Sequence, residues 1–143
     1  MSELAKRAVA CRHWRWAPGM LIQTVGGPTD RIAGIDSTYI HAWAESQQAE
    51  NPRGMWIRYR LDRMDKHGVP DLTDPATLGC LLALVREAWG DPEAYTRTRW
   101  GPPSLPPWAA MVTRRDGNKT ARVPTGLGYT EAEALVVALE AAS

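Results

Sequence analysis

The rhythm of apolar and polar residues changes several times along the chain, and each change marks an element. Ser2 followed by Leu4, Ala5, Ala8, Val9 and Cys11 predicts a first helix with a hydroxyl at its N-cap. Trp14 and Trp16 share one face of an extended HWRW, and Pro18-Gly19 then turns the chain. Residues 20–25 read as a strand, closed by a turn at Gly26-Gly27-Pro28. Over residues 31–44 the β-branched and aromatic positions Ile32, Ile35, Thr38, Tyr39, Ile40 and Trp43 do not follow helical spacing, which predicts strand. Residues 45–53 are polar and end near Asn51-Pro52, as a loop does. Residues 55–61 alternate: Ile57, Tyr59 and Leu61 face one way, Trp56, Arg58 and Arg60 the other.

The segment at residues 70–92, PDLTDPATLGCLLALVREAWGDP, carries its own start and stop. Asp74 predicts an N-cap and Pro75 suits the first helical position, where a missing N–H costs nothing. Leu78, Leu81, Leu82, Val85 and Trp89 form the main apolar stripe, and Cys80, Ala83 and Leu84 carry it round the helix. Such a helix is expected to be covered on more than one side. Gly90 is the expected left-handed stop, with Pro92 behind it. A short strand follows at residues 95–100, then GPPSLPP at residues 101–107, too poor in N–H donors to be a ladder strand. Residues 108–115 and 119–124 read as strands joined at Asp116-Gly117-Asn118. Thr130 and Glu133 make a capping box for a last helix whose face is Ala132, Leu135, Val136 and Leu139.

This order predicts an α+β fold: an antiparallel sheet of about five to six strands with three helices packed mainly on one face and a central buried helix at residues 74–90. At 143 residues the chain is expected to be one domain, residues 1–143, large enough to fold without metal or disulfide. Cys11 and Cys80 lie in helical patterns without a partner motif and read as buried thiols of a reducing compartment. The N-terminus has no apolar stretch of signal-peptide length and no run reaches a membrane span, so no membrane association and a cytosolic location are expected.

The net charge of +1 argues against a general nucleic-acid coat, but the charge is sorted by element. Residues 71–93 hold five acids and one arginine, whereas residues 95–124 hold six basic residues and one acid. Arginine supplies 14 of the 17 basic residues, and phenylalanine is absent beside seven tryptophans, a pattern of GC-rich coding.

Few residues offer covalent chemistry. His13, His41 and His67 are not at metal-ligand spacing with one another, with cysteine or with carboxylates, so no metal or cofactor is expected. Asp62 and Asp65 beside Arg63, Lys66 and His67 mix the types a hydrolase uses, yet read better as a solvated loop. Asp71 and Asp74 are better explained as turn and cap residues. No nucleophile elbow or phosphate loop is present, and Gly126-Leu127-Gly128 lacks dinucleotide spacing.

The arginine rows are the main polar feature. Arg58 and Arg60 share one strand face, Arg97 and Arg99 another, and Arg114, Arg115 and Arg122 flank the DGN hairpin. Were these strands neighbours, a helix-free sheet face would carry several guanidiniums with Trp56 and Tyr95 among them. It would suit phosphates or carboxylates by paired hydrogen bonds and bases by stacking. An ordinary solvent face enriched in arginine by coding bias explains the same residues. Trp14, Trp16, Trp43, Trp56, Trp100 and Trp108 are candidate interface anchors, two or three of them expected to be partly exposed, and GPPSLPP is either a rigid recognition loop or a strap.

The 70–92 segment, the C-terminal TEAEALVVALEAA and the N-terminal AKRAVACRHWRWAPGM resemble a group of small uncharacterised proteins of tailed bacteriophages, similar in arrangement to the phage ABA sandwich domain. The resemblance covers about half of the chain and implies a phage or prophage source. It supplies no catalytic residues. What it implies is a non-enzymatic accessory protein in the host cytoplasm, acting by binding. The expected partner is a host or antiviral defence protein; the alternative is sequestration of an anionic nucleotide immune signal. The partner-binding candidates are Arg58, Arg60, Arg97, Arg99, Arg114, Arg115, Trp56 and Tyr95, and assembly into a homo-oligomer is left open.

Overall fold

The computed structural model describes residues 2–44 and 56–142. The loop expected at residues 45–53 and the start of the strand at Met55 lie outside the described residues. The chain divides into two compact units, one of residues 1–9 and 15–80, the other of residues 10–14 and 81–143.

In the first unit, α1 (Glu3–Ala10) is followed by β1 (Leu21–Thr24), β2 (Thr29–Ile35), β3 (Tyr39–Ala44), β4 (Trp56–Arg60), the short α2 (Met64–His67) and β5 (Gly68–Pro70). The five strands form an antiparallel sheet in the order β4-β3-β2-β1-β5. The strand expected over residues 31–44 is two strands, because Asp36 makes a hairpin. Its Oδ1 accepts the N–H groups of Thr38 at 2.8 Å and Tyr39 at 2.7 Å, so the local side chain replaces the ladder at that point. β5 was not foreseen: three residues ending in proline carry too little pattern, and Pro70 is tolerated at a sheet edge. HWRW joins no strand.

Register puts Ile22, Asp30, Ile32, Ile40, Ala42, Ala44, Ile57 and Tyr59 on one face, and all but Ile57 and Tyr59 are buried. Buried Asp30 accepts a short hydrogen bond from the Tyr59 hydroxyl on Oδ2, while its Oδ1 has no partner among the described residues. Burial, with that bond, pushes the Tyr59 phenol well above its ordinary range.

Helix α3 (Pro75–Trp89) begins in the first unit and ends in the second. Asp74 caps it as expected, accepting Thr77 N–H and Thr77 Oγ1–H on Oδ2, both at 2.9 Å. It also receives both arms of Arg31 from β2, at 2.6 and 3.0 Å. That guanidinium holds the Asp74 carboxyl below the usual carboxylate range. Gly90 stops the helix at φ 62°, and Asp91 N–H returns to Arg86 O at 2.9 Å. The helix is not covered all round. Thr77, Leu81, Leu84 and Val85 are buried, but Ala76, Gly79, Ala83 and Glu87 are exposed. The apolar residues on the outward side, Ala76, Gly79 and Ala83, are small, and small residues lose little by meeting water.

In the second unit β6 (Tyr95–Thr98), β7 (Trp108–Asp116) and β8 (Lys119–Gly128) form an antiparallel sheet in that order, followed by α4 (Glu131–Ala141). Thr130 Oγ1 accepts Glu133 N–H at 3.1 Å, one half of the expected box; the Glu133 carboxylate reaches back to Tyr129 N–H at 3.4 Å. The expected face Ala132, Leu135, Val136 and Leu139 is buried. Gly126 and Gly128 let α4 lie against β8: a Cβ at Gly126 would sit 2.1 Å from Ala134 O, and one at Gly128 2.5 Å from Ala134 N. Asp91 fastens the helix end to β7 by accepting Thr113 N–H at 2.7 Å.

The class is therefore α+β with antiparallel sheets. The single sheet of five to six strands with three helices is corrected to two sheets, eight strands and four helices among the described residues. The sequence shows where strands lie but not which strand pairs with which.

Candidate binding surfaces

Three exposed surfaces gather the residues singled out above, and none contains all of them. The first is the outward face of β3 and β4. Cross-strand pairs set Trp43 beside Trp56, His41 beside Arg58 and Tyr39 beside Arg60. The Trp43 and Trp56 rings meet edge to face with centroids 4.8 Å apart, and Trp56 keeps 63% of its surface in water. The Arg58 guanidinium lies over the Tyr39 ring, 4.6 Å from its centre. Arg60 is held by Asp62 at 3.1 Å and His41 by Asp36 at 2.8 Å. The His41 hydrogen bond, then the two backbone N–H groups of the turn, lower the Asp36 carboxyl to about 2.

The second surface is the face of β6, β7 and β8 turned away from Gly126 and Gly128, and so from α4. Pairing of Tyr95 with Met111, Arg97 with Ala109 and Arg122 with Thr113 puts Tyr95, Arg97, Arg115 and Arg122 on it. Arg122 sits over the Tyr95 ring at 5.2 Å and 4.0 Å from Glu93. Among the described residues no carboxylate pairs with Arg58, Arg97, Arg99, Arg114 or Arg115.

The third surface is the loop at residues 99–107. Arg99 N–H donates to Pro107 O at 2.5 Å and Leu105 N–H to Pro102 O at 3.0 Å, so the loop closes on itself. The Tyr129 hydroxyl pins it by donating to Ser104 O at 3.2 Å. Prolines and these bonds hold Trp100 fully out in solvent, next to a small concavity of about 170 Å³ lined by Arg99, Pro103, Leu105 and Tyr129. Leu105, Leu127 and Tyr129 are also exposed, so four of the six exposed large apolar residues among the described residues belong to this part of the second unit.

The supposition that the arginine rows share one sheet face is corrected by the topology. Arg58, Arg60 and Trp56 are on β4, which among the described residues pairs only with β3, while Tyr95 and Arg97 are on β6, which pairs with β7. Arg99 lies beyond the end of β6, and Arg114 points to the opposite side of β7 from Arg115. Of the tryptophans, Trp56 and Trp100 are exposed and the other five are partly covered. Sequence reasoning passed over Tyr39 as a cation–π partner and Leu105, Leu127 and Tyr129 as one patch. Tyr39 alternates with His41 and Trp43, a signal that was present; Tyr129 reaches Ser104 only through the fold.

Among the described residues there is no group of three or more His, Cys, Asp or Glu that could hold a metal ion, and no helix is long and apolar enough to cross a membrane. His13 and His67 are placed by packing, the first with its ring 3.1 Å from Ala142 O, the second against the Tyr59 ring at 5.0 Å. Comparison of the chain with protein-family models, with curated proteins and with solved structures gives no match.

Proposed function

We propose that this chain is a non-enzymatic phage accessory protein of the host cytoplasm that occupies the surface of a host or antiviral defence protein. The observation that carries the reading is Trp100, fully exposed on a proline-braced loop with Leu105, Leu127 and Tyr129 exposed nearby. A tryptophan held out in water by a rigid loop loses little freedom on docking, and such anchors dominate binding energy when they enter a pocket. Arg99 lines the concavity beside this anchor and Arg97 lies on the adjoining β6, neither with an acidic partner among the described residues, and their charge favours an acidic partner surface. The alternative, capture of an anionic nucleotide by one face built from both arginine rows, is weaker because the rows belong to separate sheets.

The test is co-purification from phage-infected cells, comparing the parent with Trp100→Ala combined with Leu105→Ala. The reading expects one partner protein in stoichiometric amount with the parent, lost from the double variant at unchanged melting temperature. A partner retained by the double variant, or none with the parent, sinks it.

A further inference from the structure

We infer that the outward face of β3 and β4 binds single-stranded nucleic acid, with Trp56 as the stacking platform and Arg58 as the phosphate contact. This surface is separate from the Trp100 loop, and the inference does not rest on the protein-docking reading.

The face combines the two elements that sequence-tolerant single-strand binding uses, an exposed aromatic ring and a cation beside it. Trp56 is 63% exposed and braced edge-on by Trp43 at 4.8 Å, so its position is set before a base arrives. Arg58 is the next residue on the same face of β4, about 6.8 Å further along the strand. Its guanidinium carbon lies over the Tyr39 ring, 4.6 Å from the centre, a cation–π contact that holds the group in place without using a carboxylate. The neighbouring side chains are already engaged, Arg60 with Asp62 and His41 with Asp36, and Arg58 has no carboxylate partner among the described residues. Arg58 therefore meets a phosphate without first giving up an ion pair.

The shape selects the occupant. Trp56, Arg58 and Arg60 are all exposed on an edge strand, and a ring so open covers one side of a base only. A small ligand gains most when a cavity encloses most of its surface. A polymer gains from an open platform because successive bases and phosphates can use neighbouring rows. Duplex DNA hides its base faces and offers Trp56 nothing to stack on.

The experiment is fluorescence anisotropy with a labelled twelve-nucleotide oligothymidylate at low salt. The same oligomer as a duplex and thymidine monophosphate serve as competitors. The single strand is expected to bind, with the duplex and the mononucleotide each at least tenfold weaker. Trp56→Ala and Arg58→Ala should each weaken binding about tenfold without lowering the melting temperature, since both side chains are exposed. The slope of log affinity against log salt should be about −0.7 to −1.4, one to two phosphates. Arg97→Ala with Arg115→Ala, on the other sheet, should leave binding within twofold. Equal binding of duplex, mononucleotide binding as tight as the oligomer, insensitivity to Trp56→Ala, or loss through the Arg97 and Arg115 pair would each overturn the proposal.

Discussion

Gly126→Ala drives a methyl group into the backbone of α4. The new Cβ would lie 2.1 Å from Ala134 O, 2.6 Å from Ala138 N and 2.9 Å from Ala138 Cβ. None of these is the end of a flexible side chain, and Gly126 is not among the glycines with positive φ, so the cost is steric alone. Restoring an ordinary carbon–oxygen contact requires α4 to move away by about 1 Å. A gap of that size forfeits a quarter to a half of the attraction across it. Leu135, Val136 and Leu139 are each fully buried and are worth about 1.5–3 kcal/mol apiece by burial. The loss is then about 1–4 kcal/mol, in line with overpacked sites elsewhere. Gly79→Ala is the matching control: nothing lies within 4 Å of its added Cβ, and it is exposed in mid-helix, where alanine is favoured by about 0.5–1 kcal/mol. Urea unfolding at pH 7 should lower the midpoint for Gly126→Ala and raise it for Gly79→Ala, with unchanged slopes. A Gly126→Ala midpoint within error of the parent would refute close helix–strand packing as the reason for that glycine.

Asp74→Asn should cost about 1–3 kcal/mol at neutral pH, because it removes the charge that receives Arg31. The Asp74 carboxyl lies below its ordinary value of 3.8 when folded, so its contribution is complete above that value and fades as pH falls through the lowered one. Parent and variant unfolding curves should therefore converge in acid, and a gap that stays constant down to pH 2 would disprove the linkage. Tyr59→Phe should destabilise by about 1–3 kcal/mol, since it leaves buried Asp30 without its hydroxyl donor. Adding Asp30→Val should recover much of that loss, and a double variant no better than Tyr59→Phe alone would show that the carboxylate is not the source.

Much of the fold was legible along the chain because the signals are local. Asp74, Pro75 and Gly90 mark the ends of α3 through backbone hydrogen bonding and φ within a few residues, and Thr130 does the same for α4. Alternation from Trp56 to Arg60 assigns the β4 faces, and Gly117 at φ 60° turns the β7–β8 hairpin that Asp116-Gly117-Asn118 announces. What stayed hidden depends on partners distant in sequence. Asp36 splits one β-rich segment into a hairpin, and nothing local says whether a strand of five residues will pair with β3 or with β6. That choice separates Arg58 and Arg60 from Tyr95 and Arg97, and with them the arginine face the sequence suggested.

The binding surfaces divide in the same way. The residue types were visible in the chain: exposed-face arginines on alternating positions, tryptophans in excess of what a small core holds, and a proline-rich connection. Their use was decided by tertiary structure. Arg60 and His41 are held by nearby carboxylates, while Arg58 lies over the Tyr39 ring with no carboxylate partner among the described residues, although all three alternate identically along their strands. Tyr129 reaches across to Ser104 and braces the loop that presents Trp100. Periodicity determines which way a side chain points; only the packed chain determines what it meets there, because burial, pairing and exposure are properties of neighbours that sequence distance does not record.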